Sequence, residues 1–179
     1  TWLDAIEETL QRQGLTDRID ELIEASGRHL ARSLKEAMER IRRTPDAAGV
    51  QLLDIRDFPG QGHATTGLLD VFWDSKGVLD AGQALAFNGP TVVLMACDRR
   101  TWYAGERLQA RLSISHYGEA ESLQGRLAWR LRRGEDVLAE GELPASGIRR
   151  GEVAEVGVAG WRVPASDTDA SAVVLEAWW

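Results

Sequence analysis

The sequence predicts an α+β fold: a helical N-terminal segment with one lone strand of the parallel type, then an antiparallel β-sandwich. Three observations predict it. Apolar residues recur at helical spacing from Thr1 to about Thr44. A short apolar run between turn signals follows, from Val50 to Asp57. From Thr91 onward the apolar period changes to two.

The helical part comes first. Leu3, Ile6 and Leu10 share one face, and Leu15, Ile19, Leu22 and Ile23 share another. Ser26 is the expected cap of a longer helix in which Leu30, Leu34, Met38 and Ile41 recur at helical spacing. Thr44-Pro45 ends it, because the residue before a proline avoids helical backbone angles. The basic run "RIRRTP" falls at that helix end, where cations suit the dipole, and reads as a solvated face.

"GVQLLDIRDF", Gly49 to Phe58, reads as a buried strand. Helix, short loop and buried strand make half of a parallel α/β unit. No second strand of this kind lies nearby, so this part looks incomplete as a fold. Residues 59–90 are too long for a simple linker. They are also too apolar for disorder, with Leu68, Leu69, Val71, Phe72 and Trp73 among them. A helical turn is expected near residues 80–87.

The sandwich strands alternate cleanly. In "RLQARLSIS", Leu108, Ala110, Leu112 and Ile114 face one way, and Arg107, Gln109, Arg111 and Ser113 the other. In "RLAWRLR", Leu127, Trp129 and Leu131 oppose Arg126, Arg130 and Arg132. Further strands are expected at 91–97, 136–142, 151–158 and 172–178. Turns at Arg133-Gly134-Glu135-Asp136 and Ser146-Gly147 would separate them. This spacing indicates an antiparallel β-sandwich of six strands, against about seven in a typical immunoglobulin-like one. The closing "VVLEAWW" reads as a strand, so a further strand is expected beyond Trp179.

Composition narrows the function. The 179 residues carry 21 Lys and Arg against 28 Asp and Glu, a formal net charge of −7. Nothing there favours nucleic acid or anionic lipid as a partner. No apolar run reaches the roughly 18 residues needed to span a membrane. The opening "TWLDAIEETL" has no basic lead and no apolar h-region, so no targeting signal is read in this chain. Cys97 rules out a disulfide within the chain and reads as a small core residue. His29, His63 and His116 lack metal-ligand spacing. "GQGHATTG" lacks the lysine and context of a phosphate loop.

The stretches "GVQLLDIRDFPGQGHATTGLLDVFWDSKG", "FNGPTVVLM" and "YAGERLQARLSISHYG" together resemble bacterial glycoside hydrolases of family 2, the β-galactosidase-like type. In that family a (β/α)8 barrel carries catalysis and an immunoglobulin-like sandwich packs beside it. The resemblance implies that residues 1–60 hold the last helices and last strand of a truncated barrel. Residues 61–90 would connect to a sandwich over 91–179. It implies a carbohydrate partner, an upstream part of the same polypeptide, no cofactor, and a periplasmic or extracellular location in a bacterium. The two catalytic glutamates of such enzymes would lie upstream of Thr1, so the chain itself is expected to be inactive. A section cut from a barrel would expose apolar surface around Leu52, Leu53 and Ile55, or cover it by self-association. The alternative is a non-catalytic carbohydrate-binding or structural immunoglobulin-like module.

Binding residues are sought in the loop after the lone strand. Asp57, Gln61 and His63 follow it directly. Trp73 offers a ring on which the C–H face of a sugar can stack. Asp70 and Asp74 share a face if 66–74 is helical; otherwise they cap turns or pair with Lys76. The expected contacts are Asp57, Gln61, His63, Trp73 and Asp74, with no catalytic residue and no metal ligand.

Overall fold

The computed structural model describes residues 1–44, 46–60, 65–165 and 169–179. It is α+β, with three α-helices and two antiparallel sheets. Its contacts divide it into two units, residues 1–37 with 50–81 and residues 38–49 with 82–179.

In the first unit, α1 runs Trp2–Gln13. Thr1 caps it in a reciprocal box with Asp4, and Gly14 closes it at φ 66°. A single 3₁₀ turn, Thr16–Arg18, leads into α2, Ile19–Arg43, whose residues 38–43 belong to the second unit. Helix α2 runs straight through Ser26, which is therefore no cap. Asp20 and Glu21 in its first turn complement the dipole instead. Thr44 follows the helix end, and Pro45 lies outside the described residues.

The predicted lone strand is not formed. Residues 50–55 have no strand pairing, and Arg56 makes only an isolated parallel bridge to Leu69. Asp54 sits at φ 59°, in the left-handed region, and an extended run cannot continue through it. Val50, Leu52, Leu53 and Ile55 are exposed, not buried as a barrel strand requires. No barrel strand is present among the described residues.

The second unit holds the sheets. Strands β1 (Thr91–Ala96), β2 (Arg107–His116) and β5 (Glu152–Arg162) form one, in the order β1-β2-β5. Strands β3 (Ser122–Arg133), β4 (Asp136–Arg149) and β6 (Val174–Trp178) form the other, in the order β4-β3-β6. A short helix α3, Ala81–Asn88, precedes β1 and buries Phe87. The predicted alternation holds. Leu108, Ala110, Leu112 and Ile114 join Leu127, Trp129 and Leu131 in one core cluster, so the two sheets share their apolar faces.

Two details differ from expectation. The turn predicted at Ser146-Gly147 is a bulge: β4 continues to Arg149, and the register slips as Leu123 pairs Ile148 while Gln124 pairs Ser146. Gly147 supplies the φ of 71° this needs, and the chain reverses at Gly151 instead. The basic run is not wholly solvated either. Arg42 donates to Gly89 O at 2.6 Å and Ser115 Oγ at 3.0 Å, and Arg43 donates to Met95 O at 2.9 Å. Desolvation lowers the pKa of Arg42. These guanidiniums satisfy backbone and hydroxyl acceptors beside β1, a use that charge pattern alone does not reveal.

Candidate functional site

The candidate site is formed by residues 54–60 and 65–77 in the first unit. Short backbone ties order it. Leu68 and Leu69 N–H donate to Ile55 O at 3.0 and 3.1 Å, and Asp57 N–H donates to Leu69 O at 2.9 Å. Lys76 N–H reaches Leu68 O at 3.3 Å. Two chain passages are thus drawn together by a few ladder-like bonds without becoming a sheet.

Asp57 anchors that junction. Its residue is 8% exposed. Its Oδ1 accepts from Gly67 N–H at 2.9 Å, and Lys76 Nζ lies 3.0 and 3.2 Å from its two oxygens. Lys76 also donates to Thr65 O at 2.9 Å. A buried carboxylate is retained because each oxygen has a charged or amide donor. Gly67 is required by space: a Cβ there would lie 2.4 Å from Arg56 C and Asp57 N.

A second turn presents the aromatics. Asp70 Oδ1 accepts from Phe72 N–H at 2.8 Å and Asp74 N–H at 2.9 Å. Asp70 N–H donates to Asp74 O, and Trp73 N–H to Asp70 O. The segment is therefore an Asp-capped turn and not the helix that would set Asp70 and Asp74 on one face. Phe72 is 79% exposed and Trp73 60%. Trp73 adopts φ 74°, which is costly for a bulky residue. The Arg56 guanidinium lies 4.9 Å from its ring centroid, close enough for a cation–π contact.

Of the expected contacts, Trp73 and Asp74 lie in this exposed turn, and Asp57 lies beneath it as the anchor. Gln61 and His63 fall outside the described residues. Sequence reasoning passed over Arg56 and Gly67. The glycine carried a signal, since an isolated Gly beside apolar residues marks a close backbone approach. For Arg56 nothing in the sequence pointed to Trp73. No group of acidic, histidine or cysteine side chains suited to a metal occurs among the described residues. Elsewhere, His116 is buried with both ring nitrogens engaged: Nε2 lies 2.8 Å from Ala120 O, and Nδ1 lies 2.8 Å from Thr91 Oγ1. Hydrogen bonding to the carbonyl assigns the proton to Nε2.

Comparison with known proteins gives a narrow result. Residues 106–177, which carry β2 to β6, match the model of a family described as "Domain of unknown function (DUF8488)". No curated protein matches the chain. Among solved structures, Spo0M, a sporulation control protein from Bacillus subtilis, is similar at 16% identity and a TM-score of 0.36. That match covers 50% of this chain and 43% of Spo0M, so the chain spans less than half of that protein's length. A likeness this distant carries no conclusion about fold or activity. These findings overturn the expected membership of glycoside hydrolase family 2. The matched family is a different one, and the segment expected to be the last barrel strand is an irregular loop.

Proposed function

We propose that the chain is a non-catalytic carbohydrate-binding module, with the loop of residues 54–77 as its contact surface and an immunoglobulin-like sandwich as its second unit. The observation that carries the reading is Trp73. A large aromatic residue held at φ 74° and 60% exposed is costly twice over, in backbone strain and in exposed apolar area. Asp70 and Arg56 fix it in that posture. A fixed, exposed indole is suited to stacking on the C–H face of a pyranose. The exposed Asp74 carboxylate beside it is suited to accepting hydroxyl hydrogen bonds. Phe72 extends the platform.

The non-catalytic part of the proposal rests on the carboxylates. Glycoside hydrolysis uses two free carboxyl groups about 5–10 Å apart across the sugar. In this loop Asp57 is engaged by Lys76 and Gly67 and Asp70 holds the turn, so neither of these two is free to serve as one of the pair. The sandwich reading rests on two antiparallel sheets sharing a core; the six strands among the described residues fall one short of the usual number, about seven.

Affinity electrophoresis through gels containing neutral or acidic polysaccharides tests the proposal. Retardation by at least one polysaccharide, lost in Trp73→Ala and weakened in Asp74→Asn, is expected. Equal mobility of the parent chain and Trp73→Ala in every gel overturns it. Turnover of chromogenic β-galactoside, β-mannoside or β-glucuronide substrates that Asp57→Asn or Asp74→Asn abolishes would overturn the non-catalytic part.

A further inference from the structure

A cleft of about 410 Å³ opens where β2 begins and β5 ends. Gly105, Arg107, Gly160, Trp161 and Arg162 line it. Arg107 and Arg162 are direct partners in the antiparallel register, with Leu108 opposite Trp161 and Gln109 opposite Gly160. Like charges placed directly opposite each other destabilise a sheet. Among the described residues, neither guanidinium pairs with a carboxylate. Arg162 Nε donates only to a backbone carbonyl, Gly105 O, at 3.1 Å. The adjacent carboxylate, Glu106, is held by Arg99 at 2.8 Å and by Tyr103 N–H at 2.8 Å.

The backbone makes room for this charge. A Cβ on Gly160 would stand 3.6 and 3.7 Å from Arg107 Nη2 and Nε, so the guanidinium lies across a bare glycine. Gly105, at φ 82°, turns the chain so that its N–H bonds Val163 O while its carbonyl receives Arg162. The cleft floor thus combines two cations with two glycines that clear space above the backbone, while the Trp161 side chain, opposite Leu108, turns to the core face.

We infer that this cleft is an anion-binding site, in which Arg107 and Arg162 together hold a ligand bearing a carboxylate or a phosphate group. Guanidinium forks match both groups in geometry, and a shared anion replaces the repulsion between the two strands with two attractions. The chain's net charge of −7 opposes non-specific anion capture, so binding here requires the local pair.

The test is calorimetric titration of the full chain with inorganic phosphate and, separately, with citrate, in buffers matched for ionic strength with sodium chloride. Saturable binding of one or both probes is expected. Arg107→Ala and Arg162→Ala should each weaken it roughly tenfold or more, the loss of one charge-assisted contact. Arg111→Ala, on the same strand outside the cleft, should leave it unchanged. Circular dichroism verifies that each variant is folded. Binding of phosphate alone or of citrate alone supports the site and names its ligand class. No saturable heat with either probe overturns the inference. So does binding that Arg107→Ala and Arg162→Ala leave intact, or that Arg111→Ala weakens equally.

Discussion

The ammonium group of Lys76 lies within 3.2 Å of both carboxylate oxygens of Asp57, 19 residues earlier in the chain. This pair closes the base of the loop, and Gly67 N–H completes it. Lys76→Met leaves a largely buried carboxylate without its cation. We expect local destabilisation of about 1–3 kcal/mol, the cost of an unsatisfied buried group. Faster hydrogen exchange at the Gly67 amide is the readout. In the double variant with Asp57→Asn the loss should be smaller than the sum of the single losses, because the two act on one interaction.

Gly67→Ala tests the same junction through space rather than charge. The added methyl meets backbone atoms at 2.4 Å, and backbone cannot swing aside as a side chain can. The two passages must separate, and the Leu68 and Leu69 bonds to Ile55 O must lengthen. A loss of about 1–3 kcal/mol, typical of overpacking, is expected. Unchanged amide protection at Leu68 and Leu69 would count against the tight approach.

Trp73 separates binding from stability. Glycine tolerates positive φ without the steric cost borne by every other residue. Trp73→Gly should therefore be more stable than Trp73→Ala by roughly 1 kcal/mol in urea unfolding. Both should lose carbohydrate retardation alike. If alanine is the more stable of the two, the strained posture assigned to Trp73 is wrong.

Acid stability of the second unit should depend on Glu176. Hydrogen bonds from Arg132, 2.6 Å to Oε1 and 3.1 Å to Oε2, hold its carboxyl below the usual range. A carboxyl whose folded-state pKa is depressed adds stability at pH above its unfolded value and loses it as pH falls through the folded value. Glu176→Gln should therefore lower the melting temperature at neutral pH and flatten its decline through the mildly acidic range. A melting curve whose acid limb is the same in parent and variant would exclude the contribution.

The sandwich strands were legible because period-two alternation reports directly which side chains enter the core. Leu112, Leu127 and Leu131 were read as inward and are fully buried. The helices were equally legible, although α2 begins seven residues before Ser26, since a serine's preference for caps is worth little against the packing of a long helix. The Val50–Asp57 segment misled for a physical reason. Its apolar run has the composition of a strand, but strand pairing depends on distant partners and on φ, and Asp54 breaks the extension locally. The candidate loop was half legible. Its aromatics and aspartates stood out by residue type, whereas the Asp57–Lys76 closure and the Arg56–Trp73 contact join residues 17 or more positions apart. The Arg107–Arg162 cleft was not visible at all, because register between strands 55 residues apart is a property of the fold.

The bulge at Gly147 has one more effect. Among the described residues β4 pairs with β3 alone, so its other flank is an edge that a foreign strand could use as a template. Pro144 removes one donor from that flank's strand, and three residues later the kink at Gly147 spoils its straightness. Both features make an outermost strand 14 residues long a poorer template for sheet growth between molecules.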